Sequence, residues 1–297
     1  FMSNNEIQGG LHKSVINWYP GHMAKTKKQI EEDLKLVDVV VEILDARIPL
    51  SSQNPDIKEL TKNKKKILLL NKSDLASETE TKKWIQYWQK KNKIALQINS
   101  NTGEGIATVL KTIKDICSND LAIQAEKGRI KKNIRVMVIG IPNVGKSSFI
   151  NRITRKSSAE VGNKPGVTKQ KKWIRIDEQI ELLDTPGVLW PKFEDKSALH
   201  LAYTGTIKDE ILNKQEVAYS LLTELFQNYK TNLIERYKLK EDEVKDITIF
   251  GLMQLIGKKR GALVAGGIID EEKVANIILD DFRMGKLGRI TLERVEA

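Results

Sequence analysis

Eight consecutive residues constrain this chain more than any others: Gly140-Ile141-Pro142-Asn143-Val144-Gly145-Lys146-Ser147, which read G-x-x-x-x-G-K-S. They lie between two segments of different periodicity. Ile134–Ile139 is a short apolar run suited to a buried strand, and Ser148–Ile153 puts its apolar residues on one helical face. A strand that ends in a glycine loop and continues as a helix aims backbone N–H groups and a positive helix end at one point, where phosphate oxygens are favoured. The pattern assigns the backbone of Asn143, Val144, Gly145, Lys146, Ser147 and Ser148 to such contacts. It directs the Lys146 ammonium to the β- and γ-phosphates and gives the Ser147 hydroxyl to magnesium.

A phosphate loop alone does not choose the nucleotide. Downstream, Ile180–Gly187 closes a strand in Asp184-Thr-Pro-Gly187. This places a carboxylate at the strand tip for the magnesium shell and a mobile glycine, Gly187, at the γ-phosphate. Between the two segments, Thr168 in Lys164-Pro-Gly-Val-Thr168 suits a second magnesium contact. The base reader lies upstream. Ile67-Leu-Leu-Leu-Asn71-Lys72-Ser73-Asp74 reads as a buried strand that exits in Asn-Lys-x-Asp. The Asp74 carboxylate can accept from both N1–H and N2–H of guanine, a donor pair that adenine lacks. Asn71 would fix the loop and contact the base, and Lys72 would lie over the base plane. Further on, the strand from Ala95 ends at Asn99-Ser100, where a backbone N–H could meet guanine O6. The ligands expected are therefore GTP and GDP with Mg2+.

In this chain the base-reading half precedes the phosphate-binding half, the reverse of the common order. The chain therefore resembles the circularly permuted GTPases, and most closely the ribosome biogenesis GTPase A family. Trp18-Tyr-Pro-Gly-His22-Met23, Asp45-Ala-Arg47 and the helical stretch from Thr206 onward carry the closer resemblance, which covers about residues 16–290. It implies an α/β fold: a permuted P-loop GTPase domain with a mostly parallel sheet, over residues 16–205, followed by a small all-α domain over 206–297. It also implies a ribosomal partner and association of the helical tail with rRNA. Residues 1–15 read as a flexible lead, with Phe1 ahead of Met2 as a cloning remnant.

Composition narrows the alternatives. The single cysteine, Cys117, excludes a disulfide framework and a Cys-rich zinc module. No apolar run approaches the ~18 residues of a membrane span, and a cytoplasmic protein is expected. The formal net charge is +11, and it is unevenly spread: residues 119–205 carry net +7 and residues 206–297 net −1. Arg152–Arg175 holds eight basic residues against Glu160 alone. Because this segment surrounds Thr168, it suggests a polyanionic partner whose binding follows the nucleotide state.

Periodicity supplies the remaining elements. Helices are expected over 24–36, 54–62, 79–92, 105–117, 215–229, 247–256 and 271–283, and strands over 36–44 and 173–176. Residues 119–133 read as the polar joint that the permutation creates. Trp84, Tyr87 and Trp88 fit core packing. Arg47 either faces RNA or phosphate, or pairs with Asp45 or Asp56. In the tail, Lys258, Lys259, Arg260, Lys286 and Arg289 suggest a local basic patch.

Many small GTPases orient the attacking water with a glutamine after Asp-x-x-Gly. Here Val188 stands at that position and cannot hydrogen-bond a water, so slow intrinsic hydrolysis is expected. Two groups remain as substitutes: a potassium ion (K+) beside Asn143, or the His22 imidazole. Catalysis is thus expected from Lys146, Thr168, Gly187 and His22, with the metal held by Ser147, Thr168 and Asp184. The function expected is a GTP-hydrolysing switch, a monomer, acting on the ribosomal large subunit and its rRNA late in maturation. A permuted GTPase of the small subunit, or a GTP-gated protein-binding module with little turnover, is the alternative.

Overall fold

The computed structural model describes residues 20–126, 133–156, 173–184 and 195–295. The described residues divide into two compact units, 20–184 with 293–295, and 195–292. The expected lead over 1–15, Trp18, Thr168 and the segment around it, and Gly187 lie outside the described residues.

The first unit is a six-stranded sheet in the order β3-β2-β1-β4-β6-β5. Its strands are β1 (Val39–Asp45), β2 (Lys65–Asn71), β3 (Ile94–Gln97), β4 (Ile134–Gly140), β5 (Trp173–Arg175) and β6 (Ile180–Asp184). All neighbours run parallel except β5, which pairs antiparallel with β6. Counted from the phosphate-loop strand β4, the strands cross the sheet as second, third, first, fourth, fifth, sixth. This is a doubly wound order read from a cut and rejoined chain, as the resemblance to circularly permuted GTPases implies. β1 is buried along its whole length, as a central parallel strand covered on both faces must be.

Helices α1 (Pro20–Leu34), α2 (Pro55–Leu60), α3 (Glu78–Lys90), α4 (Ile106–Glu126) and α5 (Lys146–Lys156) flank the sheet. Each starts where local chemistry allows. Asn54 caps α2 by accepting from the Asp56 and Ile57 amides, with Pro55 at the first helical position, and Ser77 caps α3 through the Glu80 amide. Ile30 and Leu34 of α1 and Ile57 of α2 join Val37, Val40, Met137, Ile139 and Leu183 in one core cluster. Trp84 and Trp88 of α3 join Leu44, Leu68, Leu70 and Ala95 in another, so these aromatics are core. Two expectations are corrected. Helix α4 continues to Glu126, well into the supposed joint, because a polar helix still satisfies its backbone where a polar loop would need outside partners. Cys117 is buried inside that helix rather than at its end.

The second unit is helical: α6 (Asp195–Tyr203), a 3-10 turn (Asp209–Ile211), α7 (Lys214–Asn228), α8 (Lys230–Tyr237), α9 (Glu241–Val244), α10 (Ile249–Lys259) and α11 (Glu271–Arg283). Leu221, Leu222, Leu225, Leu252, Ile256, Ile278 and Phe282 are buried in it. Arg283 braces the unit, donating to the carbonyls of Ala202 and Tyr203 and to both oxygens of Asp209. Among the described residues no helix is long and apolar enough to cross a membrane.

Candidate functional site

Parallel register brings three strand ends to one edge. Asp45 of β1 stands opposite Asn71 of β2, and Ile43 opposite Gly140 of β4. Open α/β sheets bind ligands at this carboxyl edge.

After β4 the chain turns through Ile141–Gly145 and enters α5 at Lys146. Gly145 has φ +94°, and a Cβ there would lie 2.3 Å from Asn71 Nδ2. At Gly140 a Cβ would meet the Ile43 carbonyl and Val144 Cγ2, each at 2.9 Å. Asn143 is also left-handed, at φ 62°, a conformation asparagine tolerates better than most residues. Val144 is buried, whereas Asn143, Ser147 and Ser148 are exposed and Lys146 is half-buried. The two serines therefore sit at the positive end of α5, open to an anion and its metal. A loop whose Gly140 and Gly145 admit no side chain fits the close approach of nucleotide phosphates, with Ser147 fitting the accompanying magnesium.

Asn71 joins the two halves of the site. Buried at the end of β2, its Nδ2 donates to the Val144 carbonyl at 2.7 Å. Its Oδ1 accepts from the Ser100 amide at 3.0 Å and the Ser100 hydroxyl at 2.9 Å. Lys72 follows in a left-handed conformation (φ 59°), and its Nζ donates to the Asn143 carbonyl at 2.7 Å and to Asp45 Oδ2 at 3.0 Å. Asp74 is exposed in the next turn. Asn99 uses its side-chain oxygen within its own loop, accepting from the amides of Asn101 and Thr102. Arg152 Nε, from α5, reaches the Ser100 carbonyl at 3.3 Å.

Asp45 lies beneath this joint. Arg47 forks onto it, Nε to Oδ1 at 2.9 Å and NH2 to Oδ2 at 2.7 Å, both residues being about 2% exposed or less. Burial by itself would raise the Asp45 carboxyl, but the Arg47 guanidinium and Lys72 ammonium beside it hold it well below the usual carboxylate range. The alternative left open for Arg47 is thus decided: it pairs inward with Asp45.

The structure therefore brings together Asn71, Lys72, Ser100, Asn143, Val144, Gly145, Lys146, Ser147 and Ser148, with Asp74 and Asn99 on flanking loops. Asp184 ends β6, next to β4, and His22 lies in the first turn of α1, both with their side chains outside the described atoms. Of Asp45-Ala-Arg47 the sequence offered the Arg47–Asp45 pair as one alternative, but not the further tie of Asp45 to Lys72. It gave no sign that Arg152, part of the basic segment, turns toward Ser100.

Residues 135–250 match a family described as "50S ribosome-binding GTPase". Proteins named ribosome biogenesis GTPase A are similar over nearly the full chain. That of Bacillus cereus is 45% identical over 95% of this chain and 95% of its own. That of Bacillus licheniformis is 46% identical over 95% and 99%. Among solved structures, GNP-bound YlqF from T. maritima aligns with a TM-score of 0.64 and 27% identity, over 91% of this chain and 98% of that one. Such kinship brings GTP and GDP as nucleotides and magnesium as their companion ion. With identity at this level carried from end to end, and with the phosphate loop and the Asn71–Lys72 strand end hydrogen-bonded at one sheet edge, the chain belongs to the ribosome biogenesis GTPase A family, as a circularly permuted enzyme that hydrolyses GTP in ribosome assembly.

Proposed function

We propose that the protein is a GTP-operated switch that binds the assembling large ribosomal subunit late in its maturation and leaves it on hydrolysis. The observation that carries this reading is the joint at Asn71 and Lys72. It ties base-side and phosphate-side loops together, and the basic segment Arg152–Arg175 begins in the helix that follows the phosphate loop. In this reading Asp74 accepts from N1–H and N2–H of guanine, with Asn71, Lys72, Asn99 and Ser100 shaping the base pocket. The backbone from Asn143 to Ser148 holds the phosphates, and Lys146 neutralises charge at the γ-phosphate. Magnesium would be held by Ser147, Thr168 and Asp184, and would withdraw charge from the phosphates when bound. Gly187 senses the γ-phosphate, and the water would be oriented by His22 or by a potassium ion that Asn143 would hold.

The family description "50S ribosome-binding GTPase" supports the large subunit as partner. In the helical unit, Arg236, Arg260 and Lys286 surround the single carboxylate of Asp281, which leaves a local positive excess suited to RNA phosphates although the region's net charge is −1. Lys259 is less available, being paired with Glu243 at 3.1 Å. A monomer working in the cytoplasm completes the proposal. A second reading, a GTP-gated protein-binding module, is favoured by the exposed apolar side chains Leu263, Val264 and Ile268 in the turn between α10 and α11.

The deciding experiment is GTP hydrolysis in potassium buffer, alone and with purified large or small subunits. Stimulation by the large subunit only is expected. Stimulation by the small subunit only would overturn the assignment, and stimulation by neither would favour the protein-binding module. If His22→Ala leaves subunit-stimulated turnover unchanged, His22 is not the water-orienting group.

A further inference from the structure

Residues 293–295 return to the GTPase unit after the helical unit ends at Leu292, and their contacts there are specific. The Glu293 carboxylate accepts from the Leu50 amide at 2.5 Å, from the Ser51 amide at 3.1 Å, and from the Ser51 hydroxyl. The Glu293 carbonyl accepts from Trp84 Nε1 at 2.9 Å. Val295 packs against the cluster that contains Trp84, Trp88 and Leu44. A carboxylate that receives two adjacent backbone N–H groups and a hydroxyl fixes the loop that supplies them.

That loop continues directly into the nucleotide site. Ser52 Oγ accepts from the Asp45 amide at 3.1 Å, and the Ser52 amide closes onto the Ile48 carbonyl. Asp45 pairs with Lys72, and Lys72 donates to the Asn143 carbonyl of the phosphate loop. Every link from Ser51 to Lys72 is buried or half-buried, so competition from water is small and a displacement at one end is passed on rather than absorbed.

From this chain of contacts we infer that Glu293 is a positioning residue for the nucleotide site: its grip on Leu50 and Ser51 sets Asp45 and Lys72 against the phosphate loop. The inference rests on the nucleotide occupying the site described above. Because Glu293 follows Leu292 without a spacer, a partner that strains the helical unit would loosen this grip and weaken nucleotide binding. By linkage, bound nucleotide tightens the grip by the same factor.

The test uses the full-length chain, with Glu293→Gln and Ser51→Ala separately and together. Affinities are measured for fluorescent GDP and a fluorescent non-hydrolysable GTP analogue. Hydrogen exchange of the Leu50 and Ser51 amides is followed with and without nucleotide. Each single variant is expected to bind nucleotide about five- to tenfold more weakly, the range of modest site-to-site coupling. The double variant should be no weaker than the worse single one. Nucleotide should slow exchange at Leu50 and Ser51 in the parent chain and less so in Glu293→Gln. A merely structural contact would lower the unfolding temperature equally with and without nucleotide and leave affinity untouched. That result, with faster exchange at Leu50 confirming that the grip is lost, overturns the inference. A parent chain that binds no guanine nucleotide would instead overturn the site reading on which it rests.

Discussion

Asn71 spends both ends of one carboxamide on backbone and hydroxyl partners from two loops, and it is 2% exposed. Asn71→Ala would leave the Val144 carbonyl and the Ser100 amide without this partner, at about 1–3 kcal/mol for each group kept from water. The expected result is at least about a tenfold loss of GDP affinity in a fluorescence titration, since 1.4 kcal/mol corresponds to tenfold. Gly145→Ala combines a strained φ with a methyl 2.3 Å from Asn71 Nδ2 and should weaken the same titration at least as much. Asp45 makes a pH statement. Its folded carboxyl is held far below its unfolded value, so its ion pairs stabilise the fold fully above the unfolded carboxylate's pKa of about 4, and that contribution declines progressively as pH falls from there through the depressed folded value. Asp45→Asn should therefore lower the denaturant midpoint clearly at pH 7 and somewhat less, though still measurably, at pH 3. That the Gly-Lys-Ser and Asn-Lys-x-Asp segments end at one sheet edge was legible, because each pattern follows an apolar strand and parallel strands share their carboxyl edge. The pairing of Arg47 with Asp45 was one of the alternatives the sequence left open, and the choice could not be made there because a buried and an exposed arginine look alike in sequence.

Among the elements, legibility followed amphipathic contrast. Helix α11 was expected over 271–283 and occupies Glu271–Arg283, because its apolar stripe and the Asp270 cap give an unambiguous start and face. The short helices α8 and α9 were missed. Lys230–Tyr237 and Glu241–Val244 are polar and bury only Leu233, Tyr237 and Val244, so tertiary packing rather than pattern forms them. Helix α10 offers a sharper test. A Cβ at Gly257 would lie 2.6 Å from Val274 Cγ2 and 2.9 Å from Ile269 Cγ2. Gly257→Ala gains about 1 kcal/mol of helix propensity, against about 1–3 kcal/mol for overfilling a packed contact with stiff β-branched neighbours. The balance is destabilising, by up to about 2 kcal/mol, readable as a lowered thermal midpoint. Removing Asp281, 3% exposed and facing Arg236, Arg260 and Lys286, should destabilise the helical unit by about 2–3 kcal/mol, less than a fully buried pair because the cations reach solvent.

At the scale of the whole chain, the permutation was legible from motif order alone, since the phosphate loop can follow the base reader only if the sheet has been rejoined. The grip of Glu293 on Ser51 was not legible, because no pattern links residues 242 positions apart. Binding to a ribosomal particle should fall steeply with rising salt if phosphate contacts dominate. A shallow dependence in a filter-binding series would point instead to an apolar protein contact. The strand order also bears on how the molecule is made. The strands β1-β2-β3 lie within residues 39–97 and β4-β5-β6 within 134–184, so each half of the sheet is local in the chain, and the two meet only along β1 and β4. During synthesis the first half can assemble while the second is still being made. Closure of the β1–β4 seam is then the slow, long-range step. The proposed nucleotide site straddles that seam, so on that reading guanine nucleotide would bind only a chain whose halves have joined, and would act as a clasp that traps the finished sheet.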